Sequence, residues 1–146
     1  MLKLSTKGRY GLRAMIDLAM EYDGNHQPIM MADIASRQAL SRKYLHALLT
    51  PLKNAGLVKS ARGAKGGYYL ARPPEEITVG EILTALEGAL NIVDCLASET
   101  DCSRVSQCLA RGIWQNLNDS ITDLLEAITL QNLVCDGNMA FKEIET

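Results

Sequence analysis

The chain has 146 residues, of which 47% are hydrophobic and 22% charged, a length that suits one domain, or one small domain with an extension for oligomerisation. No apolar run approaches the roughly 18 residues of a membrane-spanning helix, and MLKLSTKGRYG at the amino terminus has no apolar signal-peptide core, so a cytoplasmic protein without a membrane partner is expected. The net charge of −2 conceals two opposite halves: residues 1–72 carry twelve Lys and Arg against four Asp and Glu, or +8, and residues 73–146 carry three against thirteen, or −10.

Five Tyr, one Trp and one Phe leave the core to be built mainly from aliphatic side chains. From Arg9 to Tyr22, the residues Leu12, Met15, Ile16, Ala19 and Met20 recur at i, i+3, i+4, i+7 and i+8. This is one apolar stripe of an amphipathic helix. The turn cluster DGNHQP (23–28) stops it. A short helix follows from Met31 to Gln38 with Ile34 and Ala35 inward, then a turn at ALS (39–41). Ser41 is a suitable N-cap for a third helix, whose Leu45, Leu48, Leu49 and Leu52 again share one face. Gly56 stops that helix. Pro51 lies inside it, where a proline costs about 3 kcal/mol, and a kink is expected there.

Two short helices joined by a tight turn make a helix-turn-helix, whose second helix reads the major groove with its early residues. Ser41, Arg42, Lys43, His46 and Ala47 lie away from the leucine stripe and form the expected groove-facing set. LVKSARGAKGGYYLAR (57–72) then reads as two strands around a glycine-rich turn. Arg62, Gly63, Lys65, Gly66 and Gly67 put positive charge and close backbone approach at its tip, as in the wing of a winged-helix domain. The same stretch lacks the spacing and the following helix of a nucleotide-binding P-loop. Lys7, Arg9 and Arg13, with Lys43, are the expected phosphate contacts.

RPPEE (72–76) reads as a linker, and TVGE (78–81) as a capping box opening a helix with Ile82, Leu83 and Leu86 inside. After it, Cys95, Cys102 and Cys108 fall within fourteen residues of a polar stretch. Three thiols in a cytoplasmic chain suit metal or redox chemistry more than stable disulfides. The C-x2–4-C spacing of structural zinc sites is absent, and the polar surroundings argue against burial. A disulfide formed on oxidation stays open. Finally Ile113, Leu117, Ile121, Leu124, Leu125 and Ile128, extended by Trp114, mark a helix from about Leu109 to Leu130. So long a helix in so small a chain points to a homodimer paired through it. No Cys/His/Asp arrangement for nucleophilic catalysis is present, since both histidines fall in the basic half; no enzymatic activity and no small-molecule substrate are expected.

LSTKGRYGLRAMIDLA (4–19), LVKSARGAKGGYYLARP (57–73) and TVGEILTALEG (78–88), taken in order, resemble one family. It is the bacterial winged-helix regulators that include the iron–sulfur cluster assembly regulator and the cysteine-metabolism repressor. The resemblance runs over roughly residues 2–134 and implies a mainly α fold with a small β-hairpin wing: a winged helix-turn-helix domain plus a long C-terminal dimerisation helix. It implies double-stranded promoter DNA as partner, a repressor as the mode of action, and an iron–sulfur cluster on Cys95, Cys102 and Cys108, with [2Fe-2S] favoured over [4Fe-4S]. The corresponding division is 1–74 DNA-binding, 75–93 connecting helix, 94–108 sensor loop, 109–134 dimerisation helix and 135–146 flexible tail.

The chain departs from the family pattern in two respects. Where the assembly regulator has a histidine ligand, three residues past the third cysteine, stands Arg111; where other members have an acidic ligand near the amino terminus stands Arg9. A guanidinium stays protonated and has no lone pair for a metal. Candidates for a fourth ligand remain Cys135, His26, His46, the carboxylates Asp94, Glu99 and Asp101, and the hydroxyls Ser103 and Ser106. The other departure is His46, at a position that is glutamate in the assembly regulator, so the operator sequence does not carry over.

Overall fold

A computed structural model describes residues 3–98, 100 and 102–135. Helix α1 (Thr6–Met20) begins before the apolar stripe does, because the Gly8 N–H donates to the Ser5 hydroxyl and makes Ser5 the cap. Helix α2 (Met31–Gln38) ends on Ala39, whose backbone is left-handed (φ 53°, ψ 47°). Helix α3 (Arg42–Asn54) is capped by Ser41, which accepts from the Tyr44 N–H, and runs on through Pro51. Pro51 leaves the Ala47 carbonyl without its helical donor, a loss that falls on the exposed face.

Strands β1 (Val58–Ala61) and β2 (Gly67–Leu70) pair antiparallel in the register Val58↔Leu70 to Ala61↔Gly67. Ile29 adds a further bridge, exchanging N–H···O bonds of 2.8 and 2.9 Å with Tyr68. Gly67 makes this approach feasible: a Cβ there would lie 2.0 Å from the Ile29 carbonyl oxygen. The hairpin is thereby docked on the chain that enters α2.

The stretch expected as a linker is packed. Residues Pro74–Glu76 form one 3-10 turn, and Pro74 and Ile77 are buried. Helix α4 (Val79–Glu87) opens with the full capping box, in which the Glu81 N–H donates to Thr78 Oγ1 at 3.1 Å and the Thr78 N–H to Glu81 Oε2 at 3.0 Å. A one-turn helix α5 (Asp94–Ala97) and a 3-10 turn (Val105–Gln107) shape the cysteine loop, followed by α6 (Arg111–Ala127) and α7 (Leu130–Cys135).

The long helix therefore ends earlier than its apolar stripe suggests. Ile128 is extended, and its carbonyl accepts the Val79 N–H at 2.9 Å, while the Leu130 N–H donates to the Ile77 carbonyl at 2.9 Å. Thr129 then caps α7, accepting the Asn132 N–H at 3.1 Å. This stitch returns Leu130 to the core, where α7 packs on α1. The expected tail beyond Cys135 lies outside the described residues, as do Glu99 and Asp101. Among the described residues no helix is long and apolar enough to cross a membrane.

The core joins Met15 and Leu18 of α1, Ile34 of α2, Leu45, Leu49 and Leu52 of α3, Val58 and Leu70 of the hairpin, Ile82 and Leu86 of α4, and Leu130 of α7. Truncating Leu130 to Ala should cost about 2–5 kcal/mol, the range for a fully buried leucine. Urea unfolding checks this, and an unchanged midpoint would detach α7 from the core. Glu81 gives a second test. Burial raises its pKa, but the Thr78 N–H and the Arg72 guanidinium 2.7 Å away outweigh that, and the carboxyl sits below its usual range. A lowered folded pKa stabilises above the unfolded value of about 4.3 and is lost as pH falls through the folded value. Glu81→Gln should therefore flatten the acid side of the stability–pH curve.

Candidate nucleic-acid interface and cysteine loop

Helix α3 divides cleanly by exposure. Leu45, Leu48, Leu49 and Leu52 are buried, while Arg42, Lys43, His46 and Ala47 are exposed together with the cap residue Ser41. The first turn is held from behind by Tyr44, half-buried and edge-on to Tyr10 of α1 with ring centroids 6.1 Å apart. The amino-terminal residues of α3 are thus solvent-facing on a rigid support, the arrangement a major-groove reader needs.

The wing tip turns through Gly63 (φ 108°), whose carbonyl accepts the Gly66 N–H at 3.0 Å. Arg62, Gly63 and Lys65 are exposed, and Gly66 and Gly67 are half-buried where the strands meet. Gly66 is required by space, since a Cβ would lie 2.4 Å from the Ala61 carbonyl oxygen. Lys7 and Arg9 are exposed on the first turns of α1. Arg13 is also exposed, but its Nε donates to Gln38 Oε1 at 3.2 Å and its Nη2 to the Gln38 carbonyl at 3.0 Å.

Two basic residues escaped the sequence reading. Lys59 is exposed on β1 and Lys53 at the end of α3 donates to the Ser60 hydroxyl at 2.7 Å, so both lie where helix and wing meet. The outward position of Lys59 in the Val58–Ala61 alternation was the available signal. Arg72, by contrast, is tied to Glu81.

The cysteines lie on successive turns of one loop. Cys95 is in α5 and half-buried, Cys102 is half-buried and precedes the 3-10 turn, and Cys108 is exposed at its end. All are free thiols, as is exposed Cys135 at the end of α7. The loop is entered through residues 88–93, where the Ile92 N–H donates to Asn118 Oδ1 of α6 at 3.1 Å. It is anchored again where the Arg111 N–H donates to the Cys108 carbonyl at 3.3 Å and α5 packs on α6. Among the described residues no three His, Cys, Asp or Glu side chains converge on one point. The donor chemistry of three accessible thiols nonetheless fits a thiophilic metal group.

The other candidate ligands disperse. His26 has a left-handed backbone (φ 53°) and its ring lies tilted against Tyr69 of the wing, with centroids 5.6 Å apart, and edge-on to Tyr22 at 6.4 Å. His46 is on the outer face of α3, and the two arginines excluded as ligands are apart in the chain's fold, Arg9 on α1 and Arg111 at the start of α6. Asp94, Ser103 and Ser106 are exposed on the loop itself. On α6, Ile113, Leu117 and Leu124 are 64%, 41% and 45% exposed, whereas Ile121, Leu125 and Ile128 are half-buried where α6 packs on α4, so one part of the apolar stripe faces outward.

The family model described as "Rrf2: Iron-dependent Transcriptional regulator" matches residues 4–136. The chain belongs to the Rrf2 family. It is therefore a transcriptional regulator with a winged-helix fold and not an enzyme. It is 42% identical over 132 residues to the HTH-type transcriptional regulator CymR of Bacillus subtilis, covering 90% of this chain and 89% of the relative. It is 37% identical to the regulator IscR of Aliivibrio salmonicida, covering 94% and 80%. Among solved structures, CymR, "the Global Cysteine Regulator of B. subtilis", superposes with a TM-score of 0.75 over 92% of this chain and 97% of that one. T. potens IscR, 41% identical, gives 0.74 over 95% and 90%. The Rrf2 chain thus resembles both named branches about equally.

Exposure orders the thiols of the metal-free Rrf2 chain, since access governs the rate at which a thiolate is trapped. Under a thiol-specific chromogen, Cys108 and Cys135 should react before Cys95 and Cys102, as read by mass spectrometry of partly labelled protein. Equal labelling of all four would mean that α5 does not shelter its cysteine.

Proposed function

We propose that this regulator is a cytoplasmic homodimer that represses promoters by binding double-stranded DNA, and that an iron–sulfur cluster held by Cys95, Cys102 and Cys108 controls that binding. The observation that carries the reading is the position of three free thiols on the loop joining α4, part of the DNA-binding core, to the apolar face of α6. Lys7, Arg9 and Lys43 meet phosphates, Ser41, Arg42, Lys43, His46 and Ala47 face the major groove, and Arg62 to Gly67 form the wing contact. Phosphate contacts position the protein, and sequence is read from base edges by the α3 set and Arg62.

The exposed stripe of Ile113, Leu117 and Leu124 supports pairing of α6 with a second copy, so the spacing of the two α3 helices depends on α6. When bound, an iron–sulfur cluster supplies one-electron redox chemistry and sensitivity to oxidants or nitric oxide. To hold one, the chain must draw Cys95, Cys102 and Cys108 together, which moves α5 and the strap that Asn118 fastens to α6. The far end of α6 is stitched to residues 77–79 beside the core, so a shift of α6 reaches the DNA-binding half. The family description as iron-dependent supports this reading.

A second reading keeps the DNA interface and replaces the cluster with thiol oxidation or a partner protein. The solved structure of Staphylococcus aureus CymR in an oxidised form, 41% identical to this chain, favours it.

Anaerobic purification with an absorbance spectrum and analysis for iron and sulfide decides between them. Visible charge-transfer bands with iron and sulfide, lost in Cys95→Ala, Cys102→Ala and Cys108→Ala, are the expected result; a colourless protein without iron would favour the second reading. Independently, Arg62→Ala should weaken binding to a cognate promoter by about 1–3 kcal/mol if it reads a base, or lower the salt slope by about one if it meets phosphate. Unchanged binding by folded protein would remove the wing from the interface.

A further inference from the structure

Asp17 is 3% exposed, a charged side chain buried among the apolar residues of the described core. A carboxylate taken out of water must be satisfied by donors or it destabilises the fold. Three donors meet it from the last turn of α2. Arg37 gives Nε to both carboxylate oxygens at 3.0 and 3.2 Å and Nη2 to Oδ1 at 2.6 Å, and Gln38 gives Nε2 to Oδ2 at 2.8 Å. The Asp17 hydrogen bonds hold the Arg37 pKa above its ordinary value. One helical turn earlier on the same face of α1, Arg13 binds the other end of the Gln38 amide and also the Gln38 carbonyl. Gln38 is therefore used at its amide nitrogen, its amide oxygen and its backbone oxygen.

The next residue is Ala39, held in the left-handed region (φ 53°) that a residue with a Cβ adopts only when its surroundings impose it. Two residues on, Ser41 caps α3. On that side Arg13 lies 5.1 Å over the Tyr10 ring, which meets Tyr44 of α3 edge-on. The α2–α3 turn is thus gripped by α1 before and after Ala39.

We propose that Asp17, Gln38 and Arg13 form a clamp that fixes the α2–α3 turn and so the orientation in which α3 is presented to DNA. Arg13 is on this account a positioning residue whose donors serve the turn, and not a phosphate contact. The proposal rests on the reading of α3 as the DNA reader. It extends that reading by naming residues outside the groove-facing set of α3 as determinants of operator specificity.

The test uses full-length Gln38→Ala, Arg13→Ala and Asp17→Asn, with a duplex selected from random sequences by the wild-type protein and a scrambled duplex of equal length. Hydrogen exchange of the amides of residues 39–44 reports on the clamp without DNA and should quicken in all three variants, while exchange in α4 stays unchanged. The ratio of selected to scrambled affinity should fall about tenfold or more through the selected duplex alone, with the salt slope preserved, because misorientation spoils base contacts and leaves phosphate contacts in place. Arg13→Ala weakening both duplexes alike and lowering the salt slope by about one would overturn the assignment of Arg13. Unchanged exchange at 39–44 would overturn the clamp itself. Arg42→Ala combined with His46→Ala separates the underlying reading: if that folded variant keeps the wild-type ratio of selected to scrambled affinity while exchange still quickens in Gln38→Ala, the clamp exists and α3 is not the reader.

Discussion

The close approach of α1 to α4 is the constraint on which the remaining architecture depends. A Cβ at Gly11 would stand 2.2 Å from Leu86 Cδ1, and one at Gly8 would stand 2.6 Å from Glu87 Oε1. Two helices can therefore lie backbone to side chain, with Glu87 closing the amino end of α1 through the Ser5 N–H and hydroxyl. With α1 placed, its other faces organise α2, α3, β2 and α7. Gly80 repeats the device one layer further out, since a Cβ there would stand 2.6 Å from Glu126 Oε1 of α6. Carboxylates at the amino ends of α1 and α4 also lie at the favourable end of each helix dipole.

This layering separates two tasks that the charge distribution already divides. The basic half of the chain supplies an outward face on α1, α3 and the wing, while its one buried carboxylate, Asp17, is spent inside on holding the α2–α3 turn. The acidic half supplies α4 and α6, with the cysteine loop between them. Because the loop is fastened to α6 at Ile92–Asn118 and α6 is stitched to the core at residues 128–130, the loop cannot rearrange without loading α6 or breaking one of these ties. Flat fields of like charge would not create such a connection; short, directed hydrogen bonds do.

Much of this was legible in the linear sequence. Apolar stripes placed α1 and α3, the turns on either side bounded α2, Ser41 and the Thr78/Glu81 box marked helix starts, and the glycine-rich basic turn marked the wing, because each depends on residues close in sequence. The start of α1 was misplaced since its cap, Ser5, precedes the apolar stripe. The end of α6 was misplaced since Ile128 continues the helical period while its carbonyl accepts the Val79 N–H and the Leu130 N–H donates to the Ile77 carbonyl, some fifty positions earlier in the chain. The Thr129–Asn132 cap was a local sign of that break. Residues 72–76 were taken for a linker because two prolines and two glutamates read as solvent-exposed, whereas Pro74 is buried where α7 packs on this turn.

By itself, the sequence determined α1 to α4 and the hairpin, the inward and outward faces of those helices, the split of charge and the set of thiols available for chemistry, all of which follow from local backbone preference and side-chain type. The tertiary structure alone decided which cations are committed. Arg13, Arg37 and Arg72 look equivalent to Lys7 or Arg9 in composition, yet Gln38, Asp17 and Glu81 occupy them, because partners twenty to twenty-five residues away, or across a capping box, come within hydrogen-bond reach only once the helices pack.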